Sequence, residues 1–196
     1  MADKPAIREL LKTRLRAFAP QDRAKASEAI ARSVLALPEY TQARCVMLYV
    51  SMASEVDTSA IAADAWETGK RVLVPVAKME DRSMHAVGIS SLAEARRKTA
   101  IGVMEPEPGA AVDPSQIDLV LTPGLGFGPA GERIGRGAGF YDGFLARLGA
   151  KTITCGLGFE LQVIEGIPML PRDMALDMLV TETQVRRFRR MGPTVA

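Results

Sequence analysis

The sequence predicts an α/β fold, a single-domain three-layer α/β/α sandwich around a mixed, mostly parallel sheet. Apolar residues recur at helical spacing near the start of the chain, and short continuous apolar runs follow, separated by further helical segments. Such runs are typical of strands covered on both faces, and their alternation with helices indicates a largely parallel sheet. The chain has 196 residues and contains no repeat or linker-like stretch, so residues 1–196 are expected to form one domain.

The helices and strands are predicted in a regular order. Two amphipathic helices open the chain, the first from Pro5 to Phe18 and the second ending before Pro38. Later helices are predicted over residues 58–66 and 139–148. The strands are predicted over residues 45–50, 71–76, 117–122, 152–156 and 178–183. The less regular stretch 78–114 is expected to hold an edge strand, a short helix and turns.

Composition excludes several classes of protein. No apolar run is long enough to cross a bilayer, and the charged first ten residues do not resemble a secretory signal. We therefore expect a cytoplasmic protein with no membrane partner. A net charge of +2 gives no reason to expect a nucleic-acid partner. Cys45, Cys155 and the single His85 have no zinc-ligand spacing, and both cysteines are predicted to be buried thiols.

The most informative segment is LTPGLGFGPAGERIGRGAGFYDGFLARL, residues 121–148. A predicted strand leads into a glycine-rich loop and then a helix, which is where ligands bind in open α/β sheets. Gly135, Gly137 and Gly139 lack side chains, so their amides can approach an anion, and Arg136 can hold phosphate or carboxylate in a bidentate way. The loop matches neither Walker A nor GxGxxG. Taken alone, it is explained equally well as ordinary loop geometry.

Four charged residues have both a solvent-exposed and a ligand-binding interpretation. Asp142, in the first turn of the predicted helix, either complements the helix dipole or holds magnesium on a bound nucleotide. Lys4 and Arg8 share one helical face beside the apolar stripe. They form a solvated edge or extend into a cleft. Glu55 follows the strand predicted at 45–50 and is either a solvated turn residue or a ligand contact.

Six segments in the correct order resemble 5-formyltetrahydrofolate cyclo-ligases. IGRGAGFYD resembles the family's glycine-rich signature, and Lys4 with Arg8 resembles its N-terminal Lys-x-x-x-Arg. The other four segments are LYVSMASEVDT, IGVMEP, LVLTPGLGF and PRDMALDMLVTE. The resemblance covers residues 4–182. Two departures are Phe140, where many relatives have tyrosine, and Arg172 before Asp173, where relatives often have histidine.

The resemblance implies an α/β sandwich that uses ATP and Mg²⁺ to convert 5-formyltetrahydrofolate into 5,10-methenyltetrahydrofolate, releasing ADP and phosphate. Phosphorylation would turn the formamide oxygen into a good leaving group, and the neighbouring folate nitrogen would then attack the carbon. Such chemistry depends on positioning and charge neutralisation more than on a histidine base. A monomer is expected.

Residue roles are carried over from the same resemblance. Arg136 and Lys4 are expected to be catalytic, with Arg136 neutralising the transferring phosphoryl group. Asp142 and Asp173 are expected to position magnesium. The expected substrate contacts are Val50, Glu55, Arg8, Arg136 and Phe140. The expected ATP contacts are Lys4, Arg8, Arg133, Ile134, Gly135, Arg136, Gly137, Ala138, Gly139, Phe140 and Tyr141.

Three alternatives remain open from the sequence. The chain is either the cyclo-ligase itself, a non-catalytic paralogue that binds folate or nucleotide, or a sugar-phosphate isomerase or CoA-linked enzyme on a similar sandwich. The presence of Lys4, Arg136 and Asp142 favours the enzyme over the paralogue. The basic run formed by Arg186, Arg187, Arg189 and Arg190 is either solvated terminal charge or a contact for a polyglutamate tail on the folate.

Overall fold

The computed structural model describes residues 3–95, 97–98, 104–107 and 109–188. The α-helices in these residues are α1 (Lys4–Ala17), α2 (Pro20–Leu35), α3 (Pro38–Gln42), α4 (Ser59–Glu67) and α5 (Phe140–Leu145). The first six strands are β1 (Cys45–Met47), β2 (Arg71–Lys78), β3 (Ser83–Gly88), β4 (Arg97–Lys98), β5 (Met104–Glu105) and β6 (Ala111–Val112). The others are β7 (Leu119–Thr122), β8 (Gly126–Phe127), β9 (Arg133–Ile134), β10 (Ile153–Leu157), β11 (Met178–Val180) and β12 (Val185–Arg187).

An eight-stranded mixed sheet forms the centre of the fold, in the order β12-β11-β10-β7-β1-β2-β3-β6. The five strands from β11 to β2 are parallel to one another. Antiparallel pairings flank this block, because β12 pairs with β11 at one edge, and β3 pairs with β2 and with β6 at the other. Two small antiparallel pairs, β4–β5 and β8–β9, lie outside the main sheet. The predicted mixed, mostly parallel sheet is confirmed.

Different helices cover the two faces of the sheet. Alternate residues of a strand point to opposite faces, and β1 shows this directly. Val46 belongs to the apolar cluster that contains α1 to α4 residues, whereas Met47 belongs to the cluster that contains Phe140 and Phe144 of α5. Both side chains are fully buried, so the central strands are covered on both sides. The three-layer sandwich is therefore confirmed, with unequal outer layers.

The N-terminal helix has the apolar face that the sequence predicts, together with a side-chain cap. The Asp3 carboxylate caps α1 by accepting a hydrogen bond from the Ala6 amide at 2.9 Å. Ile7, Leu11 and Leu15 of the predicted stripe are buried. This packing fixes α1 against the sheet, so that its charged face lies beside the ends of the central strands.

Several predicted boundaries are corrected. Pro38 does not simply end a helix, because α2 stops at Leu35 and Pro38 begins α3. The strand predicted at 45–50 is regular only over β1, although the Leu48 amide still donates to the Leu73 carbonyl at 2.9 Å. The helix predicted at 139–148 is the six-residue α5. The stretch 78–114 contains β3, a short 3₁₀-helix (Leu92–Glu94) and β6, and β6 is the edge strand expected there. The strand β12 was not predicted.

We expect Gly131→Ala to lower the free energy of unfolding by about 3 kcal/mol, because two costs add. Gly131 has φ +94°, and an added Cβ would lie 2.6 Å from the backbone oxygen of Leu176. Gly69 has φ +74° but open space around it, so Gly69→Ala should cost only about 1 kcal/mol. Urea denaturation measures both. Equal losses for the two variants would contradict this account.

We expect an ion pair at the edge of the sheet to make stability dependent on acid pH. Arg186 on β12 donates to both oxygens of Glu160, and this hydrogen bonding lowers the pKa of Glu160 from 4.5 to about 2. The stabilisation is complete above pH 4.5 and is lost as the pH falls towards 2. Glu160→Gln should therefore lose less thermal stability than wild type between pH 5 and pH 3, whereas exposed Glu28→Gln should follow wild type. Identical pH dependence in wild type and Glu160→Gln would refute the assignment.

Candidate active site

A cavity opens at the carboxyl ends of β1 and β7, where Val50 and Pro123 follow the two strands. This is the position where ligands bind in open α/β sheets. The structure brings all the predicted site residues to its walls. They are Lys4, Arg8, Val50, Glu55, Asp142, Asp173 and the loop residues 133–141. The predicted site is thus one continuous cavity built from the start of α1, the loop after β1, the glycine-rich loop and the segment before β11.

The glycine-rich loop depends on two glycines in the left-handed region of backbone space. Gly137 has φ +110° and Gly139 has φ +77°, conformations that side chains disfavour. The Arg8 Nε donates to the Gly135 carbonyl at 2.9 Å, and a Cβ on Gly137 would lie 3.5 Å from the Arg8 Cζ. Arg8 is therefore part of the loop's support. Because α5 has only six residues, its dipole contributes less to anion binding than the sequence suggests.

The loop is linked across the cavity to the segment after β1. Arg136 Nη2 lies 3.4 Å from Glu55 Oε1 and 3.4 Å from Ser54 Oγ. The other oxygen of Glu55 accepts a hydrogen bond from the Met52 amide at 3.0 Å. The Arg136 side chain is 42% exposed, so the pair adds little to stability. Arg136, which is predicted to bind phosphate, therefore contacts Glu55, which is predicted to bind folate.

A second ion pair joins α1 to the segment before β11. Lys4 Nζ donates to Asp173 Oδ2, and the Leu170 amide donates to the same oxygen at 2.7 Å. Burial of the carboxyl opposes its ionisation, but the hydrogen bonds from Lys4 and the Leu170 amide hold the pKa of Asp173 below its ordinary value. Asp173 is therefore charged at neutral pH.

The third ion pair lies in the cavity wall. Arg133 Nη2 lies 3.0 Å from Asp142 Oδ1, and the Arg133 side chain is only 4% exposed. The guanidinium also lies over the Tyr141 ring, 5.3 Å from its centroid. Burial raises the pKa of Tyr141, so its hydroxyl keeps its proton. Within the part of the chain that the structure describes, Arg133 Nε and the Tyr141 hydroxyl are buried and have no hydrogen-bond partner.

Two carboxylates in this cavity suit magnesium that arrives with a nucleotide. No group of three or more His, Cys, Asp and Glu that could hold a metal occurs in residues 3–95, 97–98, 104–107 and 109–188. Magnesium, however, is commonly bound by one or two carboxylates together with phosphates and water. Asp142 accepts from Arg133 and from the Met174 amide through the same oxygen, Oδ1. The two carboxylates therefore fit a magnesium site that is completed by nucleotide phosphates better than a site formed by protein ligands alone.

Sequence reasoning missed several residues of the cavity. They are Tyr49, Pro75, Ala77, Met84, Glu105, Pro123, Gly124, Leu125, Leu170 and Arg172. Pro123 to Leu125 could have been found, because they directly follow a predicted strand. The β2 and β3 residues gave no comparable signal, since they are ordinary strand residues that the fold carries to the cavity. Together, five cationic residues and four acidic residues line the cavity among the described residues.

Arg186 and Arg187, the two described arginines of the basic run, do not line this cavity. Arg186 pairs with Glu160, and Arg187 Nη2 lies 3.0 Å from Glu39 Oε2. Arg189 and Arg190 lie outside the described residues. The contact with a polyglutamate tail therefore stays a prediction.

Comparison with known proteins agrees with the geometry. The model of the 5-formyltetrahydrofolate cyclo-ligase family matches residues 1–182. The chain belongs to this family. Mouse 5-formyltetrahydrofolate cyclo-ligase is 32% identical over 189 residues, which cover 91% of this chain and 93% of the mouse protein. Cyclo-ligase membership identifies the chain as a ligase of folate metabolism and implies ATP as a cosubstrate.

Solved structures resemble the cyclo-ligase chain over almost its full length. The NMR structure of Aquifex aeolicus 5,10-methenyltetrahydrofolate synthetase has a TM-score of 0.81 and 30% identity, covering 98% of this chain and 96% of that one. A Mycoplasma pneumoniae 5,10-methenyltetrahydrofolate synthetase has a TM-score of 0.76 at 20% identity, covering 92% and 99%, and supports the fold. Across the described ranges, no helix is both long and apolar enough to span a membrane.

Proposed function

We propose that this chain catalyses the ATP- and Mg²⁺-dependent cyclisation of 5-formyltetrahydrofolate to 5,10-methenyltetrahydrofolate, with release of ADP and phosphate. The observation that carries the proposal is the contact between Arg136 of the glycine-rich loop and Glu55 of the loop after β1. Phosphoryl transfer to a folate requires both ligands in one cavity. The glycine-rich loop and the loop after β1, which are expected to bind ATP and folate, contact each other in this cavity.

The proposed reaction balances in two steps. The formyl oxygen attacks the terminal phosphorus of ATP, the bond from that phosphorus to the bridging oxygen breaks, and ADP leaves. N10 of the folate then attacks the formyl carbon, the carbon–oxygen bond breaks, and phosphate departs with the former formyl oxygen. The N10 proton is released. Neither step needs a histidine, and the only histidine of the chain, His85, does not line the cavity.

The residues have separate tasks in this proposal. Arg136 leaves Glu55 and neutralises charge on the transferring phosphoryl group, while Lys4 leaves Asp173 and binds the nucleotide phosphates. Arg8 supports the loop through the Gly135 carbonyl. The Arg136–Glu55 and Lys4–Asp173 ion pairs keep these charges compensated until ligands replace the partners.

The folate is placed against the apolar side of the same cavity. Val50 and Phe140 both line the cavity and provide apolar contacts for the ring system. Glu55, freed from Arg136, accepts hydrogen bonds from ring nitrogens. This arrangement puts the formyl group between the folate contacts and the glycine-rich loop.

Asp142 and Asp173 would hold Mg²⁺ on the bound nucleotide. When bound, the ion would neutralise phosphate charge and orient the terminal phosphoryl group. Arg133 positions the Asp142 carboxylate for this role through the 3.0 Å ion pair. The burial of Arg133 in the cavity wall supports this positioning role more than a direct contact between Arg133 and the phosphates of ATP.

Oxygen labelling tests the proposed route. With 5-formyltetrahydrofolate labelled with ¹⁸O in the formyl group, we expect the label in inorganic phosphate, and one ADP for each methenyl product. Mass spectrometry of the phosphate measures this transfer. Label in water, or product formed without ADP, would overturn phosphorylation of the formyl oxygen. Binding of both ligands without any product would instead favour the non-catalytic paralogue.

We also propose that residues 1–196 act as one cytoplasmic, monomeric domain without a nucleic-acid or membrane partner. The family match over 1–182 and the continuous central sheet support the single domain.

The natural substrate is proposed to carry a polyglutamate tail, with the C-terminal arginines as its contact. Changing Arg186, Arg187, Arg189 and Arg190 to serine should then reduce the preference for polyglutamylated over monoglutamylated substrate. An unaltered preference would exclude the contact.

A further inference from the structure

The loop after β1 carries Glu55 between two contacts with the helix α2. The Arg23 Nη1 donates to the Ala53 carbonyl, two residues before Glu55. The Asp57 amide, two residues after Glu55, donates to the Ser27 Oγ at 3.2 Å. Arg23 and Ser27 are four residues apart, so they lie on one face of α2. This face of α2 therefore holds the backbone on both sides of Glu55.

Part of the environment of Arg23 is structural. Its Nη2 donates to the Phe18 carbonyl at 2.7 Å and to the Leu15 carbonyl at 3.3 Å. These carbonyls lie at the C-terminal end of α1, where backbone acceptors need partners and a cation is favourable. A guanidinium carries its donors in a rigid planar fork. Arg23 therefore fixes the loop after β1 relative to the end of α1 as well as to α2.

The contact with Ala53 lies inside the turn that orients the Glu55 carboxylate. The Glu55 Oε2 accepts a hydrogen bond from the Met52 amide at 3.0 Å, and the Glu55 amide donates to the Met52 carbonyl at 2.9 Å. Ala53 follows Met52 directly within this turn. A displacement of the Ala53 backbone would therefore change the direction of the carboxylate.

Arg23 and Ser27 cannot act by touching a ligand in the cavity. Glu55 lines the cavity, whereas Arg23 and Ser27 do not, and Ser27 is only 5% exposed. Their effect on a ligand must pass through the backbone of the loop. A loop that is already held in its binding conformation binds more tightly, because less conformational freedom is lost when the ligand binds.

We propose that Arg23 and Ser27 are positioning residues that hold the Glu55 carboxylate in the orientation that accepts hydrogen bonds from the substrate's ring nitrogens. This proposal rests on the proposed function, in which a formylated tetrahydrofolate occupies the cavity. The expected nucleotide contacts Lys4 and Arg8 lie on α1, towards the end of the helix opposite to Arg23. The two positioning residues therefore support the folate and not the nucleotide.

Isothermal titration calorimetry with 5-formyltetrahydrofolate and with ATP tests the proposal. We expect Arg23→Ala to raise the Kd of the folate about tenfold and Ser27→Ala to raise it about threefold, because a charged and a neutral hydrogen bond to the loop are lost. The Kd of ATP should stay within about twofold of wild type in both variants. Ser27→Ala removes one contact of a small side chain, so it carries the test if Arg23→Ala fails to fold.

Two other residues of α2 provide matched controls. Arg32 is 71% exposed, and the Ser33 hydroxyl donates to the Ala29 carbonyl within the helix. Arg32→Ala and Ser33→Ala should therefore bind both ligands as wild type does. A lower melting temperature in Arg23→Ala and Ser27→Ala, with an unchanged Kd of the folate, would show that these residues only stabilise the fold.

A double-mutant cycle tests whether the effect passes through Glu55. In the Glu55→Ala background no carboxylate remains to be oriented, so adding Arg23→Ala or Ser27→Ala should raise the Kd of the folate by less than about twofold. The same increases as in wild type would contradict the proposal. Equal losses of folate and ATP affinity would contradict it as well. Wild-type protein that binds the folate but forms no methenyl product would refute the proposed function alone.

Discussion

We expect Arg136→Ala to lower kcat by about a thousandfold while raising KM for 5-formyltetrahydrofolate by less than about tenfold. Arg136 meets charge that develops on the phosphoryl group during transfer, and groups that stabilise this charge contribute mainly to turnover. The side chain is 42% exposed, and its contacts with Glu55 and Ser54 are both 3.4 Å long. Its loss should therefore leave the fold intact.

The control for this variant is an exposed arginine of α2 that does not line the cavity. Arg32→Ala removes a side chain that is 71% exposed and 4.0 Å from its partner Glu28, and it should retain wild-type kcat and KM. The rate of methenyl formation at saturating ATP measures both variants. Near-normal turnover in Arg136→Ala would remove this residue from the phosphoryl-transfer role.

The second large effect is expected at Asp142, where activity and stability should separate. Asp142→Ala leaves the Arg133 guanidinium, only 4% exposed, without its ion-pair partner, and should cost about 3 kcal/mol of unfolding free energy. Asp142→Asn keeps an oxygen for Arg133 and should cost about 1 kcal/mol. Both variants should nevertheless lose at least about a hundredfold in kcat, because loss of the carboxylate charge weakens the binding of Mg²⁺ on the nucleotide.

Urea denaturation and the absorbance of the methenyl product measure these two properties separately. The conservative variant is its own control, because it changes charge with little change in shape. Wild-type kcat in Asp142→Asn would show that the carboxylate serves only to neutralise Arg133. A fully stable Asp142→Ala would show that the ion pair has no structural role.

The glycine-rich loop could be predicted from sequence because its signals are local. A buried strand, a run of glycines and an apolar helical pattern occur within residues 121–148, and each depends on neighbouring residues. Lys4 and Arg8 could be placed on one face by helical spacing alone. The hydrogen bond from Arg8 to the Gly135 carbonyl of the loop and the ion pair of Lys4 with Asp173 depend on the packing of α1 against the sheet, which helical spacing does not give.

Other features could not be predicted because they depend on distant residues. Glu105 reaches the cavity through its bond to Ala77, a contact between two strands that local patterns do not connect. Arg133 and Asp142 pair in the wall because the β9 strand and α5 converge. The helix predicted to reach Leu148 was too long. The helix α5 ends at Leu145, and the turns that follow it keep the same apolar spacing, so the sequence pattern does not mark where the helix ends.

The most direct test of the central claim is a spectrophotometric assay of wild-type protein with 5-formyltetrahydrofolate, Mg²⁺ and ATP. We predict a rise in the ultraviolet absorbance of 5,10-methenyltetrahydrofolate that requires ATP and is abolished in Asp142→Ala. A flat trace from folded protein that still binds both ligands would contradict the account.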